Sequence, residues 1–205
     1  MSNRKGTLFV ISGASGTGKG TIIQSYFDKY RDKNVFLSIS ATTRSPRDEE
    51  QDGVNYYFKT RDEFEKLIET GGMLEWASFC GNYYGTPKEK VQEMLTAGKD
   101  VILEIEVQGA IQVRREHPEG VFIFVLPPSF AELKKRILNR KSETPEAIED
   151  RMKTAEIEFS HINRYDYILL NDTIEAATDR FKNIIEAERC KVNRNLTFIE
   201  EVLAK

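Results

Sequence analysis

The stretch Gly13-Ala14-Ser15-Gly16-Thr17-Gly18-Lys19-Gly20-Thr21 holds what binding an anion requires. Glycines let successive backbone N–H groups turn inward with no side chain in the way. The N-terminus of a helix behind them adds positive potential, and a lysine reaches outward as a mobile point charge. An apolar run, Thr7-Leu8-Phe9-Val10-Ile11-Ser12, comes before it, and a helix-patterned stretch, Thr21 to Tyr30, comes after. Buried strand, glycine turn and helix, in that order, make a phosphate-binding loop. One position departs from the pattern. The Ser or Thr expected after Gly-Lys as a magnesium ligand is Gly20, with Thr21 next.

Four further groups carry chemistry. In Ser40-Ala41-Thr42-Thr43-Arg44-Ser45-Pro46-Arg47, Arg44 and Arg47 flank a rigidifying proline and can offer several N–H donors to one phosphate. The phenols of Tyr56 and of Tyr84, in Gly81-Asn82-Tyr83-Tyr84-Gly85-Thr86, can complete such a shell, although tyrosines on short strands also serve as packing. Glu75, in Leu74-Glu75-Trp76, can accept two hydrogen bonds from the N1–H and exocyclic amine of guanine, where adenine would present an acceptor. Arg136, Arg140 and Arg151 can close over a transferring phosphoryl group from a helical flap, whereas Lys134 and Lys135 read as surface residues. Thr86 has a simpler explanation, because Thr86-Pro87-Lys88-Glu89 reads as a capping box.

These residues need a frame. Alongside the first strand, the apolar runs Val35 to Ser40, Val101 to Glu106, Val121 to Leu126 and Tyr167 to Leu170 alternate with helical patterns. Such alternation predicts an α/β fold with a parallel sheet covered by helices on both faces, and ligands at the carboxyl ends of its strands. Glu104, Glu106, Pro127-Pro128 and Asn171-Asp172 all fall at those ends. Residues 40–86 interrupt the alternation: Val54 to Lys59 and Met73 to Phe79 are strand-like, Thr60 caps a helix to about Thr70, and Cys80 to Gly85 reads as a turn. This stretch reads as a small mixed insertion.

The chain has 205 residues, 40% of them hydrophobic and 31% charged, with a net charge of −3, a balance that suits one α/β domain and argues against general nucleic-acid or membrane-surface binding. Two cysteines, Cys80 and Cys190, form no disulfide framework and suit a reducing compartment. No metal-ligand spacing occurs, and His117 and His161 read as solvated helix-end residues. The apolar run before Gly13 is too short for a signal peptide or a membrane span, so the expected location is cytoplasmic.

Together these stretches resemble the guanylate kinases over nearly the whole chain. The resemblance rests on the phosphate loop, Ser40 to Arg47, Asp52-Gly53-Val54-Asn55-Tyr56, Glu75-Trp76 through Thr86, Glu104-Ile105-Glu106-Val107-Gln108-Gly109, Pro127-Pro128-Ser129 and Asn171-Asp172. It implies transfer of the ATP γ-phosphoryl group to GMP with magnesium, in purine nucleotide metabolism. It implies a P-loop NTPase-type core (1–39, 87–128 and 161–205), a GMP-binding insertion (40–86) and a helical lid (129–160). By position, Ala14, Ser15, Gly16, Thr17, Gly18, Lys19, Gly20 and Thr21 hold the ATP phosphates, and Arg136, Asn171 and Asp172 lie near adenine. Arg44, Arg47, Tyr56 and Tyr84 hold the GMP phosphate; Ser40, Glu75, Thr86 and Glu106, with Gly85 beside them, read guanine. Lys19, Arg47, Arg140 and Arg151 act in catalysis. No direct metal ligand is assigned; magnesium is expected through water near Thr21 and Glu104.

Two departures from the family pattern bear on this. Ser usually follows the loop lysine, and Gly-Lys-Gly-Thr is similar to adenylate kinases at that point. Asp usually stands at the positions of Glu104 and Glu106, so retuned or reduced activity is expected. The alternatives are a related P-loop kinase acting on another nucleotide or a ribosyl phosphate, and a non-catalytic binding module of the same fold. Glu75 and Thr86 argue against the first, and the retained Lys19, Arg44, Arg47, Arg140 and Arg151 against the second. Oligomeric state is not legible.

Overall fold

The computed structural model describes residues 5–79, 81–138 and 145–204. In chain order they form β1 (Leu8–Ser12), α1 (Lys19–Tyr30), β2 (Val35–Leu37), β3 (Ala41–Thr42), β4 (Tyr57–Phe58), α2 (Arg61–Glu69), β5 (Met73–Phe79), β6 (Asn82–Pro87), α3 (Lys88–Thr96), β7 (Asp100–Glu104), α4 (Val107–Glu116), β8 (Val121–Leu126), α5 (Phe130–Leu138), α6 (Pro145–Phe159), β9 (Tyr167–Leu170), α7 (Ile174–Arg189) and α8 (Leu196–Leu203). Cys80 and Arg140 lie outside the described residues.

The longest apolar runs pair as a parallel sheet in the order β2-β7-β1-β8-β9. β1 reads as an unbroken apolar run because both of its faces are covered. Phe9 and Ile11 pack with Ile22, Ile23 and Tyr26 of α1 and Phe181 and Ile185 of α7. Leu8 and Val10 point the other way, onto Val91 and Leu95 of α3 and Ala110 and Val113 of α4. At the amino end of the sheet, buried Asp100 accepts the Thr7 N–H at 2.8 Å and Arg189 Nε at 2.7 Å. Arg189 also pairs with Asp32 at 2.9 Å, so one guanidinium ties α7 to the starts of β7 and β1.

Residues 41–87 build a second sheet in the order β4-β3-β6-β5, parallel between β3 and β4 and antiparallel elsewhere. Its core is thin: Ala41, Phe64 and Met73, flanked by Tyr57, Leu67, Ile68 and Tyr83. The capping box on α2 forms in full, Thr60 Oγ1 accepting the Glu63 N–H at 3.2 Å and Glu63 Oε2 accepting the Thr60 N–H at 2.7 Å.

Several local expectations are corrected. The run from Val35 to Ser40 pairs only through Leu37; the chain then crosses to the second sheet as β3. Of Val54 to Lys59, only Tyr57–Phe58 forms a strand, with Tyr56 in an isolated bridge to Asp52. Asn82–Pro87 is a strand rather than a turn, because Tyr84 pairs with both Thr42 and Ala77. Thr86 caps no helix: α3 starts at Lys88 with Pro87 at its N-cap and no side-chain cap. α4 follows β7 from Val107 to Glu116, and α8 adds a helix where the sequence reading had none.

Candidate active site

β1 ends where the glycine loop begins, and the loop closes on the first turn of α1. Gly16 and Gly18 take φ of 89° and 91°, the left-handed region that glycine enters without strain. Gly18 also faces a close neighbour: a Cβ there would lie 2.4 Å from Asn171 Nδ2, which donates to the Thr17 carbonyl at 2.7 Å. Asn171, just past β9, is thus built into the loop's outer wall. Lys19 is 8% exposed, and its Nζ donates to the carbonyls of Gly13 and Ala14. Its cation rests on the loop's own backbone, 3.8 Å from Glu106 Oε2.

The carboxyl end of β7 adds acid to this cup. Parallel pairing sets Glu104 beside Ile11, and its carboxylate accepts the Gly20 N–H. A Cβ at position 20 would lie 3.3 and 3.4 Å from the two Glu104 oxygens, so the carboxylate occupies the space beside Gly20. Glu104 is reached by solvent but walled by the cleft; desolvation raises its carboxyl, Lys19 opposes and Glu106 reinforces. Glu106 stands at the N-cap of α4 with its side chain largely exposed. Thr21 is exposed and lines an open depression with Gln24, Ser25 and Asp28.

The helical pair α5–α6 covers the loop. Leu133, Ile137 and Ala155 pack on Ala14, and Arg151 Nη1 donates to Ser15 Oγ at 2.8 Å. Arg136 Nη2 donates to the Asn171 carbonyl at 3.2 Å, joining two residues far apart in sequence. Asp172 is engaged by Arg180 at 2.6 and 2.9 Å. Glu158 of α6, unremarked in the sequence, is half-buried; burial and the charge of Glu106 push it up to about 7.

In the second sheet, Arg44 Nη2 reaches both Glu50 oxygens, at 2.8 and 2.9 Å, and Nη1 donates to the Ser45 carbonyl at 2.7 Å. The Arg47 N–H donates to the same Glu50 carboxylate at 2.9 Å. The Arg44 guanidinium lies 5.6 Å from the Tyr56 ring and hydrogen-bonds Tyr84, and the two rings are 6.2 Å apart. Ser40 feeds β4 through its carbonyl, which accepts the Tyr57 N–H at 2.8 Å.

On the neighbouring strands Glu75 pairs with Thr86, whose Oγ1 donates to Glu75 Oε1 at 2.7 Å; they are 7% and 1% exposed. Burial pushes the Glu75 carboxyl up to about 7, against the pull of Thr86's hydrogen bonds. Gly85 permits this pairing, since a Cβ there would lie 2.5 Å from the Glu75 carbonyl.

A family model described as guanylate kinase matches residues 5–188. The chain belongs to the guanylate kinase family. It is 53% identical to the guanylate kinase of Halalkalibacterium halodurans over 194 residues, 95% of this chain and 94% of that one. It is 54% identical to that of Bacillus subtilis over 190 residues, 93% of each. The crystal structure of guanylate kinase from Anaplasma phagocytophilum superposes with a TM-score of 0.76 at 33% identity, over 95% of this chain and 92% of that one.

Against the family's expected positions, the geometry brings together Ser15 with Arg151, Arg136 with Asn171, Arg44 with Tyr56 and Tyr84, and Glu75 with Thr86. Asp172 turns to Arg180 instead of Arg136. Sequence reading missed Glu50 and Glu158. Glu50 had a signal, lying three residues after Arg47; Glu158 had none, because only the packing of α6 brings it near Glu106.

Proposed function

We propose that this protein transfers the γ-phosphoryl group of ATP to GMP, giving ADP and GDP, as the family implies. The observation that carries the choice of acceptor is the buried Glu75–Thr86 pair. A carboxylate so enclosed presents acceptors to the N1–H and exocyclic amine of guanine, and a base with an acceptor there leaves it unpaired in a desolvated site. Ser40 and Glu106 complete the base pocket in this reading, beside Gly85. Arg44, Arg47, Tyr56 and Tyr84 take the GMP phosphate, with Glu50 already holding Arg44 and the Arg47 backbone in one place.

ATP phosphates enter the cup from Ala14 to Thr21, and Lys19 leaves its carbonyl partners for them. Arg136 and Asn171, with Asp172, flank the adenine. Little covalent work falls to the protein in phosphoryl transfer; alignment and charge neutralisation dominate. Arg151 already reaches the loop at Ser15 and, with Lys19, Arg47 and Arg140, supplies positive charge to the group in flight. The helical pair acts as a lid that keeps water from competing as acceptor.

The carboxylates of Glu104, which takes the Gly20 N–H, and of Glu106, 3.8 Å from Lys19 Nζ, offer oxygen donors beside the loop. That donor set fits magnesium, a hard cation that keeps several waters. With Glu104 filling the space beside Gly20, the carboxylates rather than a residue-20 hydroxyl would hold the hydrated ion. Bound there, magnesium would neutralise charge on the ATP phosphates.

Among the described residues no helix is long and apolar enough to cross a membrane. The reading places the protein in the cytoplasm, with small nucleotides as its partners and neither nucleic acid nor membrane. The deciding experiment measures ADP formation from ATP and magnesium with GMP, AMP, UMP and CMP offered separately. Turnover confined to GMP is expected; preference for AMP would overturn the acceptor assignment.

A further inference from the structure

β5 is the edge strand of the second sheet. One of its edges pairs with β6, as Glu75 with Thr86 and Ala77 with Tyr84. The other edge would leave the N–H and C=O of Trp76 bare, and a side chain of α4 meets both. Gln112 Oε1 accepts the Trp76 N–H at 3.2 Å and Gln112 Nε2 donates to the Trp76 carbonyl at 2.9 Å. A primary amide carries one acceptor and one donor side by side, so it stands in for one residue of a neighbouring strand. The contact fixes β5 to α4 one residue from Glu75.

Three residues earlier on the same helix face is Gly109. Its backbone is not left-handed, so conformation does not require glycine, and a glycine inside a helix costs about 1 kcal/mol against alanine. The neighbourhood explains it: a Cβ at position 109 would lie 2.5 Å from Glu75 Oε2 and 3.0 Å from Glu75 Cδ. The missing side chain is the room in which the carboxylate sits. Three residues earlier again stands Glu106, at the N-cap of the same helix.

We propose that α4 sets base selectivity from outside the pocket: Gly109 and Gln112 are positioning residues that hold Glu75 at one distance from Glu106. Gly109 provides the space and Gln112 fixes the strand that enters it. The inference rests on Glu75 reading the guanine edge. Displacing β5 then weakens contacts to the exocyclic amine and leaves the ATP side, on the other sheet, untouched.

The test compares kcat/KM for GMP and for inosine monophosphate, which lacks that amine, in wild type and in Gln112→Leu, Gly109→Ala and Glu75→Gln. Gln112→Leu removes both hydrogen bonds, and the GMP-to-IMP ratio is expected to fall about tenfold, by raised KM for GMP, with KM for ATP unchanged. Gly109→Ala leaves β5 bonded to Gln112 but pushes the carboxylate, and is expected to lower the same ratio even if Gln112→Leu folds poorly. A ratio unchanged in both variants, while Glu75→Gln collapses it, overturns the positioning role and leaves the reading of guanine standing. A ratio unchanged in Glu75→Gln overturns the reading of guanine, and this inference with it.

Discussion

The two sheets hold functional groups by different means. In the parallel sheet the grip belongs to the backbone: loop amides, carbonyls that park Lys19 and a strand register that delivers Glu104, over strands packed on both faces. In the mixed sheet the same work falls to side chains. Glu50 holds Arg44, Thr86 holds Glu75 and Gln112 holds Trp76, over a core of only a few apolar residues. Backbone grips suit phosphate, which any nucleoside triphosphate presents. Side-chain grips suit a base, whose identity must be read, and they sit on an element with less apolar area to stabilise it.

The contrast can be broken or sharpened experimentally. The largest effect is expected at Lys19: Lys19→Ala should lower kcat by about 10³ by removing a preorganised charge at the transferring group. GMP affinity by calorimetry should not change, and a matched loss of GMP affinity would erase the division of labour between the sheets. Phe64→Ala removes a fully buried ring from the thin core and should cost about 3–5 kcal/mol, felt in the mixed sheet. Hydrogen exchange should quicken over residues 41–87 and GMP affinity should fall, with ATP affinity retained; equal loss of both ligands would mean that the two sheets open as one unit.

The pH dependence of Glu75 comes next. Its folded carboxyl is raised from 4.5 to about 7, so the stability it contributes is fully present below pH 4.5 and is lost as pH rises through 7. The loss amounts to about 3 kcal/mol, and Glu75→Gln should be more stable than wild type above pH 7 but not near pH 4.5, by thermal melts. Binding runs the opposite way. In the proposed reading guanine needs the ionised acceptor, so GMP affinity should weaken by about tenfold per pH unit below 7, a slope that Glu75→Gln lacks. The smallest effect is expected from Thr60→Ala, which breaks the capping box of α2 and should cost about 1 kcal/mol. Exchange of α2 amides should quicken and those of β1 should not.

The same contrast decides what was legible in the sequence. β1 and β8 carry apolar runs bounded by turn residues, and burial on both faces made them plain; β9 carries such a run too, although Ile168 and Leu170 stay exposed at the sheet edge. β6 was hidden, because Asn82–Pro87 holds asparagine, glycine and proline, all turn formers, and only pairing with β3 and β5 makes it a strand. Thr86 shows how a local rule can mislead: it stands where a helix cap should, yet its hydroxyl goes to Glu75, eleven residues away. The phosphate loop was readable from spacing alone, since its function is carried by consecutive backbone. Gln112 and Glu158 were not, since each acts through a partner supplied by the fold, whereas Glu50 was within reach of a local reading, three residues after Arg47.

The Asp100 junction bears on how the acid end of β7 can vary. Side chains alternate along a strand, so slipping β7 by one residue against β1 would swing Glu104 to the opposite face, whereas lengthening or shortening its side chain moves the carboxylate only along one direction. Asp100, tied to Thr7 and Arg189, fixes the phase of β7 at the end remote from the glycine loop. A change of side-chain length at position 104 therefore alters how far the acid reaches but not the face it projects from, and what fixes that face lies a whole strand away.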